Sequence, residues 1–184
     1  MRTLIRELFE TVILALSIFL LLHLSIQNFK VEGPSMRPTL QSGEDVLVNK
    51  LVYTRRDPRE LFSLIPFVEI EKGGSVYPFH GPQRGEVIIF HFPGDPRRDF
   101  VKRVIGLENE VIVIQNGQVI VDGVPLDEPY ITQFDNDTHA AYTVPPDSYY
   151  VMGDNRRASN DSRDWKAVPA ENVVGRAWVS FWPF

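Results

Sequence analysis

Phe100-Val101-Lys102-Arg103-Val104-Ile105 decides how this chain folds. β-branched and aromatic residues dominate it, and such residues favour a pleated, half-buried strand. In a strand alternate residues share a face. Phe100, Lys102 and Val104 therefore point one way, and Val101, Arg103 and Ile105 the other. Two adjacent cations go to opposite faces, each between apolar neighbours, so at least one is partly buried. A free lysine titrates at about 10.4 and is no base at neutral pH. Burial disfavours the ammonium and lowers that value. The ordinary reading is a lysine that snorkels from a sheet edge. A buried one is a general base.

Outward from this stretch the pattern stays β. Asp45 to Tyr53 is a Val/Leu-rich strand entered by the turn Ser42-Gly43-Glu44. Glu86 to Phe92 is another, and the turn Pro93-Gly94-Asp95-Pro96 leads into Phe100. Val111 to Ile114 and Val119 to Val121 flank Asn116-Gly117, a strong hairpin signal. Ser148 to Met152 and Arg176 to Trp182 complete the set. The fold class is mostly β, with a complex or barrel-like topology of short strands. Residues 106–149 read as a small hairpin-containing insertion. Arg55 to Pro82 is a poorly patterned connector, and its apolar Leu61–Phe67 is either core or a loop that touches lipid.

The N-terminal segment differs. Thr11 to Phe29 carries no charge, and Val12 to Ile26 is mostly Leu, Ile, Val and Phe. About 20 residues cross a hydrocarbon core, so this is a short but workable span. A cleaved leader would end in small residues. Here Leu24-Ser25-Ile26-Gln27-Asn28-Phe29-Lys30 follows, which favours a permanent anchor over a cleaved signal or a buried helix. Residues 1–29 are thus expected to be a cytoplasmic stub and one transmembrane helix, and residues 30–184 the β-rich domain. Trp178, Phe181, Trp182 and Phe184 suit either strand core or a lipid interface.

Composition excludes several functions. The chain of 184 residues has a formal net charge of −5, which argues against nucleic acid as a partner. There is no cysteine, hence no disulfide, thiolate catalysis or cysteine-ligated zinc. Four histidines without a close-spaced pair argue against a catalytic metal.

Two further segments carry chemistry. Gly33-Pro34-Ser35-Met36-Arg37-Pro38-Thr39-Leu40 presents a serine on a turn stiffened by prolines, just beyond the anchor. Serine is a poor nucleophile until a base takes its proton. None of His80, His91 and His139 is marked by its neighbours as that base, whereas Lys102 is placed to serve in a Ser-Lys variant of the triad. Gly153 to Trp165 is a densely polar run directly after a strand. It holds Ser159, able to orient a lysine, and Asp161 with Arg163, able to form an internal ion pair.

In this order behind an apolar segment, these stretches resemble the type I signal peptidases, the bacterial leader peptidases. The resembling parts include Gly33–Leu40, Gly43–Lys50, Arg84–Phe90, Asp99–Gly106 and Gly153–Arg156 through Ser159, Asp161 and Arg163. The resemblance implies that Ser35 is the nucleophile and Lys102 the general base. Ser159 would hydrogen-bond the lysine amine, and Asp161, Arg163 and Arg103 would support the site. Gly33, Pro34 and Met36 would shape the turn and oxyanion hole. Some members carry a serine where this chain has Gly33, so the Ser35 main-chain N–H would bear more of the oxyanion stabilisation. The resemblance further implies a monomer in a membrane with its catalytic domain outside the cytoplasm, in a plasma or thylakoid membrane. It implies no cofactor and signal-peptide-bearing preproteins as substrates, cut after Ala-x-Ala-like sites. Two other readings stay open: a self-cleaving repressor-type Ser-Lys peptidase, and a non-catalytic membrane-tethered β module.

Overall fold

The computed structural model describes residues 2–53 and 80–182, without the side chains of residues 2–5, 21, 22 and 24. Most of the connector between Arg55 and Pro82, all of Leu61–Phe67, and Phe184 lie outside the described residues. The chain opens with helix α1 (Arg2–Ser25). Its 24 residues extend about 36 Å. No helix among the described residues is long and apolar enough to cross a membrane.

The helix ends earlier than the apolar composition suggests. Ile26–Lys30 is strand β1, paired antiparallel with β2 (Asp45–Asn49). Packing explains the switch. Phe29 and Val31 join Met36, Leu40, Val46, Val48 and Ile89 in one apolar cluster, which they reach only in extended conformation.

The remaining strands follow in chain order: β3 (Val87–Phe92), β4 (Asp95–Gly106), β5 (Val111–Gln115), β6 (Gln118–Val121), β7 (Val124–Pro125), β8 (His139–Thr143), β9 (Ser148–Met152), β10 (Val168–Pro169) and β11 (Val173–Phe181). A seven-stranded sheet runs β1-β2-β11-β3-β4-β9-β10, and a four-stranded one β7-β6-β5-β8. Every pairing is antiparallel. The barrel-like expectation is met only coarsely, because the larger sheet is open among the described residues, with β1 and β10 at its edges. Strand β4 also starts earlier than expected, since Asp95 already pairs with Phe92 across a tight Pro93-Gly94 turn.

Both faces of β4 are covered. Val104 packs with Ile88, Phe90, Tyr149 and Val151, and Phe100 and Trp165 lie against that cluster. Ile105, one residue on, packs with Ile112, Ile114, Val119 and Val144 of the small-sheet region. Fully burying a side chain such as Ile105 contributes about 1.5–3 kcal/mol. Neither Lys102 nor Arg103 can therefore reach water along an open face.

Candidate active site

The turn around Ser35 is fixed from both sides. Gly33 adopts φ +86°, a conformation open to glycine and strained for other residues. Its N–H donates to Ser42 Oγ at 3.2 Å. The Arg37 N–H donates to the Pro34 carbonyl at 3.1 Å, and the fully buried Met36 anchors the turn from below. From the polar loop, the Asn155 N–H donates to the Ser35 carbonyl at 3.0 Å and Asn155 Nδ2 to the Pro34 carbonyl at 3.2 Å. This close approach demands Gly153. A Cβ there would lie 2.5 Å from the Ser35 carbonyl oxygen and 2.2 Å from Ser159 Oγ. The Ser35 N–H itself has no acceptor among the described residues.

Lys102 meets this turn from β4, 67 positions away in sequence. Its Nζ lies 2.9 Å from Ser35 Oγ and 3.0 Å from the Val101 carbonyl, with the Phe100 ring 5.2 Å away. The residue is only 4% exposed. Burial pushes its pKa down to about 8, with the Asp161 and Asp154 charges opposing the shift. A substantial neutral fraction thus exists near neutral pH, and a neutral amine at this distance can take the serine proton.

Arg103 turns to the other face and finds a carboxylate. Its Nε and Nη2 lie 2.8 and 2.6 Å from the two oxygens of Asp154, and Nη1 donates to the Gly85 carbonyl at 2.7 Å. The guanidinium stacks 3.9 Å from the centre of the Tyr130 ring. Thr39, on the nucleophile turn, donates to Asp154 at 2.5 Å. Asp154 therefore ties the serine turn to β4.

The loop after β9 is equally well ordered by charge. Asp161 caps helix α2 (Ser162–Trp165) and accepts the Gly153 N–H at 3.0 Å. Arg163 Nε bonds Asp161 at 2.8 Å and Nη1 bonds Asp135 at 2.5 Å. Burial alone would lower the Arg163 pKa, but these carboxylates outweigh it and raise it. Arg156 pairs with Glu128 deep in the protein. Ser159 behaves differently from expectation: its buried hydroxyl has no partner among the described residues, and Lys102 bonds Ser35 and Val101 instead.

A cleft of about 460 Å3 ends at Ser35 and Lys102. Two strand edges flank it. The Val104 N–H and C=O pair with Glu86 and Gly85, so the same groups of Asp99 and Val101 face away from β3. Strand β9 pairs with β4 only from Arg103 onward, which leaves that edge without a strand among the described residues. On the opposite wall Val31, just past edge strand β1, bonds to Glu44 and Gly43, just ahead of β2, so the Lys30 and Glu32 backbones face outward. Between the edges Val31, Val46, Ile89 and Val101 make an apolar floor.

Ser35, Lys102, Gly33, Pro34 and Met36 are thus brought together, with Arg103, Asp161 and Arg163 beside them. Asp154, Asn155, Glu128 and Asp135 were not singled out from sequence. The two aspartates and the glutamate are isolated acids in loops, and only their arginine partners, distant in sequence, reveal them. His91 bonds the exposed Asp99 at 2.7 Å, and no histidine touches Ser35 among the described residues. No cluster of metal-ligating side chains is found among the described residues.

A serine hydroxyl against a desolvated amine, at the closed end of a cleft in a β fold, has the parts of a serine hydrolase. The chain belongs to the signal peptidase family, peptidase S26, whose sequence profile matches residues 4–182. It is 34% identical to a signal peptidase I of Leptolyngbya laminosa over 175 residues, covering 88% of this chain and 74% of that protein. A signal peptidase I of Bacillus caldolyticus is likewise 34% identical over 172 residues, covering 85% and 80%. A probable signal peptidase I-1 of Synechocystis is 33% identical over 187 residues, covering 97% and 83%.

Proposed function

We propose that this chain removes signal peptides from exported preproteins, with Ser35 as nucleophile and Lys102 as general base. The observation that carries the reading is the 2.9 Å approach of a buried, charge-depleted amine to an otherwise ordinary hydroxyl. Neutral Lys102 takes the Ser35 proton as Oγ attacks the scissile carbonyl carbon. The oxyanion meets the Ser35 N–H, which has no competing acceptor. Collapse breaks the C–N bond, and the departing amine takes the proton held by Lys102. Water, deprotonated by the same amine, then hydrolyses the acyl-enzyme. Ser159, whose hydroxyl has no other partner among the described residues, holds the amine as it leaves Ser35.

The substrate lies extended in the cleft and pairs with the free edges at Lys30 and Glu32 on one side and Asp99 and Val101 on the other. The shallow apolar floor admits small side chains, in keeping with Ala-x-Ala-like sites. Helix α1 forms the anchor region, with the N-terminus in the cytoplasm, and the catalytic domain outside it begins at β1, where Ile26 to Lys30 already pair with β2. Supporting this, Leu8, Phe9, Ile13, Leu14, Leu16 and Phe19 of α1 are all exposed and leave an apolar surface that lipid would cover. Holding the domain at the bilayer raises its effective concentration toward membrane-held precursors.

The test is cleavage of a preprotein by the purified full chain and by Ser35→Ala and Lys102→Met. Loss of turnover in both, with the fold intact, is expected. Cleavage retained by either variant contradicts the assignment.

A further inference from the structure

Besides Ser35, Lys102 and its apolar lining, the cleft presents four charged side chains, Lys30, Glu32, Arg98 and Asp99. Asp99 is hydrogen-bonded to His91, with Nδ1 at 2.7 Å. Lys30 and Glu32 are two positions apart on one wall and carry opposite charges. Arg98 makes no close ion pair among the described residues, although its charge is felt by Asp95. The neighbouring Arg97 does, with Asp95.

Arg98 is also preorganised. Its guanidinium lies 5.2 Å from the centre of the Phe100 ring and 5.9 Å from that of Phe92. Those two rings stack on one another at 4.8 Å, and both contact Trp165. A guanidinium held on a rigid aromatic platform loses little freedom on meeting a ligand, and it forks naturally onto a carboxylate. Arg98, Phe100 and Lys102 share one face of β4, and the Arg98 guanidinium and the Lys102 amine each lie 5.2 Å from the centre of the Phe100 ring, so the two stand no more than about 10 Å apart. An extended peptide beside that strand advances at nearly the same rate.

We propose that Arg98 is a specificity-determining residue that binds an acidic side chain of the substrate within about three residues of the scissile bond. This rests on the Ser35–Lys102 reading above. It adds a charged subsite beyond the small-residue recognition at the reactive end.

The experiment uses the full chain in a neutral detergent, without lipid, and a set of cleavable peptides in which one Glu or its isostere Gln is moved through positions on both sides of the cut. One position should show kcat/KM about ten-fold higher for Glu than for Gln. Arg98→Gln should collapse that ratio to about one, and Arg98→Glu should reverse it in favour of Lys at the same position. The ratio should shrink as salt is raised. A wild-type ratio near one at every position, or a preference that survives Arg98→Gln, overturns the proposal. Cleavage that persists in Ser35→Ala, by contrast, overturns the reading on which it rests.

Discussion

Lys102 and Arg103 are neighbours on one strand, and the two sides of that strand treat them oppositely. On one side Lys102 is desolvated against Phe100 and Ser35 without a directly bonded carboxylate, and its pKa falls to about 8. On the other Arg103 is held by both oxygens of Asp154 and stacked on Tyr130. The amine can lose its charge when desolvated, whereas a guanidinium keeps its own, and only Arg103 has a carboxylate bonded to it. The labile cation can accept a proton during a reaction; the permanent one fixes the frame around it.

The sharpest break of this contrast is chemical. Lys102→Met should abolish cleavage, by a factor of about a thousand or more, because no second base reaches Ser35 among the described residues. Arg103→Lys should leave measurable turnover but a weakened fold, because a lysine cannot fork onto Asp154. Turnover assays of the two variants side by side check this; comparable losses would erase the distinction.

Stability should separate the two in the reverse order. Removing one partner of a buried pair leaves the other charge uncompensated, so Asp154→Asn should lose about 3–5 kcal/mol. Lys102 works the other way. Its folded pKa lies below the unfolded value of about 10.5, so the unfolded chain binds more protons between these pH values and stability rises with pH across them. The penalty for burying the ammonium, at most about 3 kcal/mol, is fully present below pH 8 and gone above 10.5. Lys102→Met should therefore stabilise the fold at pH 7 and do nothing by pH 11. Denaturant titration of both variants at the two pH values reads this directly.

A smaller effect concerns the braces. Glu128 and Asp135 reach the polar loop through Arg156 and Arg163. Asp135→Asn should cost less than Asp154→Asn, about 1–2 kcal/mol, because Arg163 keeps Asp161 at 2.8 Å. Equal losses in thermal melts would mean the braces share one network with Arg103.

Much of this contrast could be read before any coordinates. Alternation in Phe100–Ile105 sent the two cations to opposite faces, and Val/Ile runs marked β3, β5 and β6. What escaped was tertiary in origin. Strand β1 was hidden because Ile26 to Phe29 continues the uncharged stretch that begins in α1, and the cluster around Met36 pulls it into a sheet. Strand β8, with its two alanines, carries little β pattern and is held by pairing with β5. Asp154 looked like one more polar loop residue until Arg103 and Thr39 met on it. Ser35 and Lys102 were legible as residue types; that their atoms lie 2.9 Å apart follows only from the fold.

The most direct trial is a titration of the Lys102 amine itself, with lysine side chains labelled at Cε and followed by NMR in the Ser35→Ala protein, where no turnover interferes. The resonance missing from the Lys102→Met spectrum should titrate with a midpoint near 8. A midpoint at 10 or above would leave too little free amine at neutral pH to act as the base, and the contrast between the two faces of β4 would fail with it.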